Sequence, residues 1–209
     1  MKKSLVALGL AGALALGFGV APASPQPVSC PTTTPHCTLS VSGGNPYGHT
    51  VAVVGDSITY FSSPYIERSL RGDGYRIDAT TGYWMSQMYP VIQQLLPTSP
   101  AAWVVELGTN DARYGNANWS SDFSREVNAL AAQRCVVLVT VNPRLGSIAT
   151  GIDEAIASTV GGQSNFHSLD WGNIEWQKPK WVSPDGIHPG PQGSAELAKL
   201  MRLTVRNLC

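Results

Sequence analysis

The sequence predicts an α/β domain built on a parallel sheet covered by helices on both faces. Two observations carry that reading. Apolar runs of strand length alternate with stretches of helical spacing along most of the chain. The runs themselves are apolar on both faces, as strands buried on both sides must be.

The elements follow in order. Val51 to Gly55 is a β-branched run ending in a turn, and Pro64 to Arg71 has helical spacing, punctuated by Gly72 and Gly74. Tyr75 to Ala79 is a short strand. Trp84 to Leu96 is helical in pattern, and Pro90 is expected to kink or split it. Ala101 to Leu107 is a buried-type strand stopped by Gly108. Ser120 to Arg134 is an amphipathic helix with Phe123, Val127, Leu130 and Ala131 on one face. Cys135 to Val141 is the most apolar strand, Ile148 to Val160 a weaker helix, and Phe166 to Leu169 a fifth strand. Residues 171–189 read as irregular, and Gln192 to Leu208 closes the chain as a helix.

The chain has 209 residues, enough for one domain, with no internal repeat. Residues 1–23 have the pattern of a secretory signal: Lys2 and Lys3, an apolar stretch from Leu5 to Val20, then Ala21-Pro22-Ala23. The apolar stretch is shorter than a spanning helix requires, so export with cleavage is expected, leaving no stable membrane anchor and a secreted or cell-envelope protein. Residues 24–47 are rich in Pro, Ser and Thr and read as an extended lead-in to a domain over 48–209. Basic and acidic side chains balance at 14 each, so no excess charge exists to hold nucleic acid. The domain is expected to be monomeric.

Four cysteines in an exported chain favour two disulfides. Cys30 and Cys37 bracket a short loop. Cys135 opens a strand and Cys209 ends the last helix, and in a βα unit strand starts and helix ends share one rim. The expected pairs are Cys30–Cys37 and Cys135–Cys209. Without a CxxC spacing and with scattered histidines, a zinc site is not expected.

Three short clusters carry chemistry. Gly55-Asp56-Ser57 ends the first strand, Gly108-Thr109-Asn110-Asp111 the third, and Asp185-Gly186-Ile187-His188-Pro189 lies before the last helix. In open α/β sheets the active crevice lies beyond the carboxyl ends of the strands, so the three can meet at one rim. Acyl transfer needs an activated oxygen, a base and donors for an oxyanion. Ser57 fits the nucleophile, His188 the base and Asp185 the group that orients it. Asn110, with the backbone N–H groups of Ser57 and Gly82, fits the oxyanion hole. Asp56 and Asp111 are expected to bond backbone around the site, and Asp170 is a weaker candidate for the acid. His36, His49 and His167 have no evident role. The GxSxG elbow of α/β-hydrolases is absent.

These clusters resemble blocks I, III and V of the SGNH (GDSL-type) hydrolase superfamily: GDS at 55–57, GxND at 108–111 and DxxH at 185–188. The resemblance spans about residues 50 to 205. It implies a three-layer α/β/α, flavodoxin-like fold with about five parallel strands. It also implies the roles just given to Ser57, His188, Asp185, Gly82 and Asn110, and needs no cofactor. Ile58 replaces the leucine of the founding motif, and Thr80-Thr81-Gly82-Tyr83 is a poor copy of block II.

The expected activity is hydrolysis of short acyl or acetyl esters on lipids or polysaccharides. An acyltransferase acting on envelope polysaccharide and a non-catalytic carbohydrate binder are the alternatives. The aromatics around the rim suit sugar stacking, but each is read first as core.

Overall fold

The structure, a computed structural model, describes residues 29–31 and 34–209. The signal-like segment lies outside the described residues. The elements run β1 (Thr38–Gly44), β2 (Thr50–Gly55), α1 (Ser57–Leu70), β3 (Gly74–Thr80), α2 (Met85–Leu95), β4 (Ala102–Glu106), α3 (Thr109–Tyr114) and α4 (Trp119–Leu130). The chain continues through β5 (Val136–Val139), α5 (Ser147–Gly162), β6 (Phe166–Leu169), α6 (Trp171–Gln177) and α7 (Pro191–Leu208).

One six-stranded sheet holds them, in the order β1-β3-β2-β4-β5-β6. The five strands β2 to β6 are parallel, and β1 adds an antiparallel edge against β3 with Thr38 opposite Thr80. The parallel order is the doubly wound, flavodoxin-like one, whose reversal puts a crevice beyond the ends of β2 and β4. Alternate residues of each strand feed the two cores. Ala52 and Val54 of β2 pack with α2, α4 and α5, while Val51 and Val53 pack with α1 and α7.

Both expected disulfides, Cys30–Cys37 and Cys135–Cys209, are present. The second ties the start of β5 to the end of α7, the rim opposite the crevice.

Several boundaries differ from the sequence expectation. Residues 38–44, read as part of the lead-in, form the edge strand β1, with Leu39 and Val41 half-buried between exposed neighbours. Helix α1 begins at Ser57, well before the predicted Pro64. Asp56 caps it, and the Tyr60 carbonyl that Pro64 cannot reach accepts the Ser63 hydroxyl at 2.8 Å. Helix α2 runs as one α-helix through Pro90 rather than splitting. The segment 171–189 is less irregular than expected. It opens with α6, whose Trp171 is fully buried and stacked on Trp181 with ring centroids 6.4 Å apart. Most rim aromatics are indeed core or partly buried, whereas Tyr114 and Trp176 are exposed.

Candidate active site

Gly55 lets β2 end tightly. A Cβ there would collide with the Thr59 side chain and crowd the Glu106 carbonyl. The chain then turns directly into α1, so Ser57 occupies the first helical position, almost buried. Helix starts leave N–H groups without intrahelical partners. Here Asp56 Oδ1 accepts the Ile58 N–H at 2.9 Å and Glu106 Oε2 accepts the Thr59 N–H at 3.1 Å. The Ser57 N–H has no acceptor among the described residues and faces the crevice end of the strand.

His188 comes from the loop before α7. Ser57 Oγ lies 2.8 Å from His188 Nε2, and Asp185 Oδ2 lies 2.6 Å from His188 Nδ1. The other Asp185 oxygen accepts the N–H groups of Ile187 and His188, each at 3.0 Å. Partial burial would raise the Asp185 carboxyl. The hydrogen bond from His188 and the two backbone N–H groups outweigh it and hold the acid below its ordinary range. An ionised Asp185 fixes the proton on Nδ1, which leaves Nε2 to accept the Ser57 hydroxyl proton.

Across from His188, Gly82 has φ +74°, a conformation natural to glycine, and its N–H has no acceptor among the described residues. Asn110 is buried in the first turn of α3, which sequence reading missed because it spans only six residues. Its Nδ2 donates to Asp56 Oδ2 and to the Tyr83 carbonyl, both at 3.0 Å. Both amide hydrogens are thus engaged. Of the two, the bond to the Asp56 carboxylate is the charge-assisted one.

Four of the five residues expected from the sequence, Ser57, Gly82, Asn110 and His188, line one cleft of about 250 Å³, and Asp185 sits behind His188. Asp56 and Asp111 serve the backbone as expected: Asp111 Oδ2 accepts the Met85 N–H at 3.0 Å. Asp170 bonds Thr140 and Asn173 instead of His188. His49 and His167 stay apart from the cleft, but His36 does not. Its Nδ1 donates to the Thr81 carbonyl at 2.7 Å and its ring meets Tyr83 edge-on, so the Cys30–Cys37 strap walls the cleft beside Gly82.

Sequence reading also missed Phe61 and Glu106. Phe61 sits one helical turn beyond Ser57 and lines the cleft. Glu106 interrupts an apolar run two residues before the GxND cluster, and that lone charge at a strand end was the available signal. Among the described residues no group of His, Cys, Asp and Glu is arranged to hold a metal ion.

No protein-family model matches the chain. Over 153 residues it is 24% identical to the "Putative peptidoglycan O-acetyltransferase YrhL" of Bacillus subtilis, covering 72% of this chain but only 23% of that protein's length. Three solved structures are similar. The C-terminal catalytic domain of Streptococcus pneumoniae peptidoglycan O-acetyltransferase A is 16% identical with TM-score 0.62, covering 77% of this chain and 92% of that one. A Veillonella parvula member of the lipolytic G-D-S-L family is 14% identical with TM-score 0.63, covering 75% and 97%. A Clostridium thermocellum family 3 carbohydrate esterase is 15% identical with TM-score 0.60, covering 77% and 96%. The strand order, the three motif clusters at one rim and these structural neighbours together establish that the chain has the fold of the SGNH (GDSL-type) hydrolase superfamily.

Proposed function

We propose that the protein is an exported serine esterase that removes short acyl groups, acetyl above all, from hydroxyls of cell-envelope polysaccharide. The observation that carries this reading is the continuous chain of hydrogen bonds from Ser57 Oγ through His188 to Asp185. The two disulfides, the signal-like first residues and the likeness to peptidoglycan-modifying proteins support an extracytoplasmic location.

In this reading His188 Nε2 takes the proton of Ser57 as its Oγ attacks the ester carbonyl. The carbonyl oxygen becomes an anion held by the N–H groups of Ser57 and Gly82 and by the Asn110 amide, which releases the Tyr83 carbonyl. The imidazolium, stabilised by Asp185, then protonates the departing alcohol oxygen, leaving an acyl ester on Ser57. Water entering the open cleft gives His188 its proton and attacks the acyl carbonyl. Collapse frees the carboxylic acid and returns the proton to Ser57.

The open cleft of about 250 Å³, walled by Phe61, Ile187, Tyr114 and the Cys30–Cys37 strap, suits a short acyl group such as acetyl. A second reading, transfer of the acyl group to a sugar hydroxyl in place of water, draws on the likeness to the two peptidoglycan O-acetyltransferases. Product analysis with an added glycan acceptor separates the two.

The test is labelling of the purified protein with a fluorophosphonate, beside Ser57→Ala, with assay on p-nitrophenyl acetate. Label on Ser57 and loss of both label and turnover in the variant are expected. A folded protein that takes no label sinks the reading and favours the carbohydrate binder.

A further inference from the structure

Beneath the cleft lie two carboxyl groups that the chemistry above does not consume. Asp56 and Glu106 are both buried, and their carboxyl groups lie close enough to act on each other while serving consecutive N–H groups, Ile58 and Thr59, of one helical turn. Adjacent strands bring them together: Gly55 pairs with Glu106 in the sheet, and the Asp56 N–H donates to the Glu106 carbonyl at 3.2 Å. Two carboxylates in contact away from water cannot both be ionised, so one proton is shared between them.

The surroundings decide where it resides. Asp56 accepts the Ile58 N–H and the Asn110 amide, one on each oxygen. Glu106 uses a single oxygen, Oε2, for both the N–H and the hydroxyl of Thr59, at 3.1 and 2.9 Å. Burial, and then the Asp56 charge, push Glu106 well above the usual carboxyl range. Burial, with the Asp111 charge, raises Asp56 to about 7, held back from a larger rise by its backbone bond to Ile58, by Glu106 and by the Asn110 amide. With a donor on each Asp56 oxygen and only one Glu106 oxygen engaged, the free Glu106 oxygen is the better seat for the proton.

We propose that Glu106 is a positioning residue of this site: as a neutral acid it fixes the Asp56 carboxylate, which in turn holds the Ser57 turn and aims the Asn110 amide. This rests on the serine-esterase reading above. Asp56 is the only link between the helix carrying the nucleophile and the side-chain donor of the oxyanion hole that the hydrogen bonds of the described residues provide. Left without the Glu106 proton, Asp56 would face a second negative charge and turn away from one of its donors. The other ionisable groups around the pair are Asp111 of α3, which faces Asp56, and beyond it Asp122 and Glu126 of α4. His188 approaches from the far side of Ser57. None of these is a cation that could replace the proton while His188 is neutral.

The experiment compares Glu106→Gln, Glu106→Leu and wild type on p-nitrophenyl acetate from about pH 6 to about pH 9.5, with Ser57 labelling run in parallel. Glutamine can donate to Asp56 and accept from Thr59, and it has no proton to lose. It is expected to stay within about threefold of wild-type kcat at neutral pH and to lack the alkaline fall expected of wild type as Glu106 loses its proton. Leucine, equally large but without a donor, is expected to lower kcat by about tenfold or more with KM within about twofold, because the loss falls on transition-state stabilisation. Wild-type kcat in the leucine variant overturns the proposal. So does an alkaline limb that Glu106→Gln leaves in place. If the leucine variant fails to fold, the glutamine profile decides alone. Absence of label on wild-type Ser57 instead removes the esterase reading itself, so the two failures are distinguishable.

Discussion

Phe61 stands edge-on to His188, their ring centroids 5.2 Å apart at an interplanar angle of 82°. Both residues line two cavities. One is the cleft that holds Ser57, and the other is a mostly apolar space of about 410 Å³ bounded also by Tyr65, Pro189 and Pro191. Phe61 and His188 together stand between them, and Phe61 is a prop for the imidazole.

Phe61→Ala is therefore expected to do two things at once. Turnover of p-nitrophenyl acetate falls by about three- to tenfold, the loss of one aromatic contact on the base. The preference for butyrate over acetate, as the ratio of kcat/KM values, rises about fivefold or more as the cavities join. Steady-state kinetics on the ester series checks both, and an unchanged preference would show that the second cavity does not take acyl chains.

Glu175 of α6 gives a pH prediction. It is buried, accepts the Asn142 amide at 3.1 Å, and burial, with the Asp185 charge, raises its carboxyl to about 7. A raised folded-state value means the group favours folding while protonated. That contribution is fully present below its ordinary 4.5 and is lost as pH rises through about 7. The neutral amide of Glu175→Gln escapes this loss. Wild type should lose on the order of 2 kcal/mol more stability than the variant between about pH 5 and about pH 7.5. Denaturant melts at the two pH values measure the difference, and parallel losses would refute the assignment.

The two disulfides should separate stability from binding. Cys135–Cys209 spans 74 residues, and opening it as a double serine variant is expected to cost about 2–4 kcal/mol in chemical denaturation. Cys30–Cys37 spans only 7 and walls the cleft, so its double serine variant should lose less stability while KM rises by about threefold or more. A KM unchanged by the second variant would show that the strap does not touch substrate.

Much of the site was legible because its residues sit in three short clusters at strand ends, where chain direction alone brings them to one rim. Ser57, Asn110 and His188 needed no packing argument. Glu106 did: in sequence it closes a run of buried strand residues, and only the register of β4 against β2, which sets it opposite Gly55, brings it beside Asp56. Pro64 suggests a start for α1 seven residues late, and the Ser63 hydroxyl that replaces the lost donor carries no periodic signal. Strand β1 was hidden by its Ser, Thr and Gly content. Its alternation of half-buried Leu39 and Val41 with exposed neighbours becomes visible once β3 offers an edge.

The antiparallel course of β1 has a directional effect. Because β1 runs against its neighbours, Thr38 lies at the same rim as Thr80, where Ser57 and Gly82 also lie. Cys209, bound to Cys135, leaves from the opposite rim. The two ends of the domain are thus its two poles. A tether placed ahead of residue 29 would hold the mouth of the cleft toward whatever surface it was fixed to, and the same tether after Cys209 would point the mouth outward.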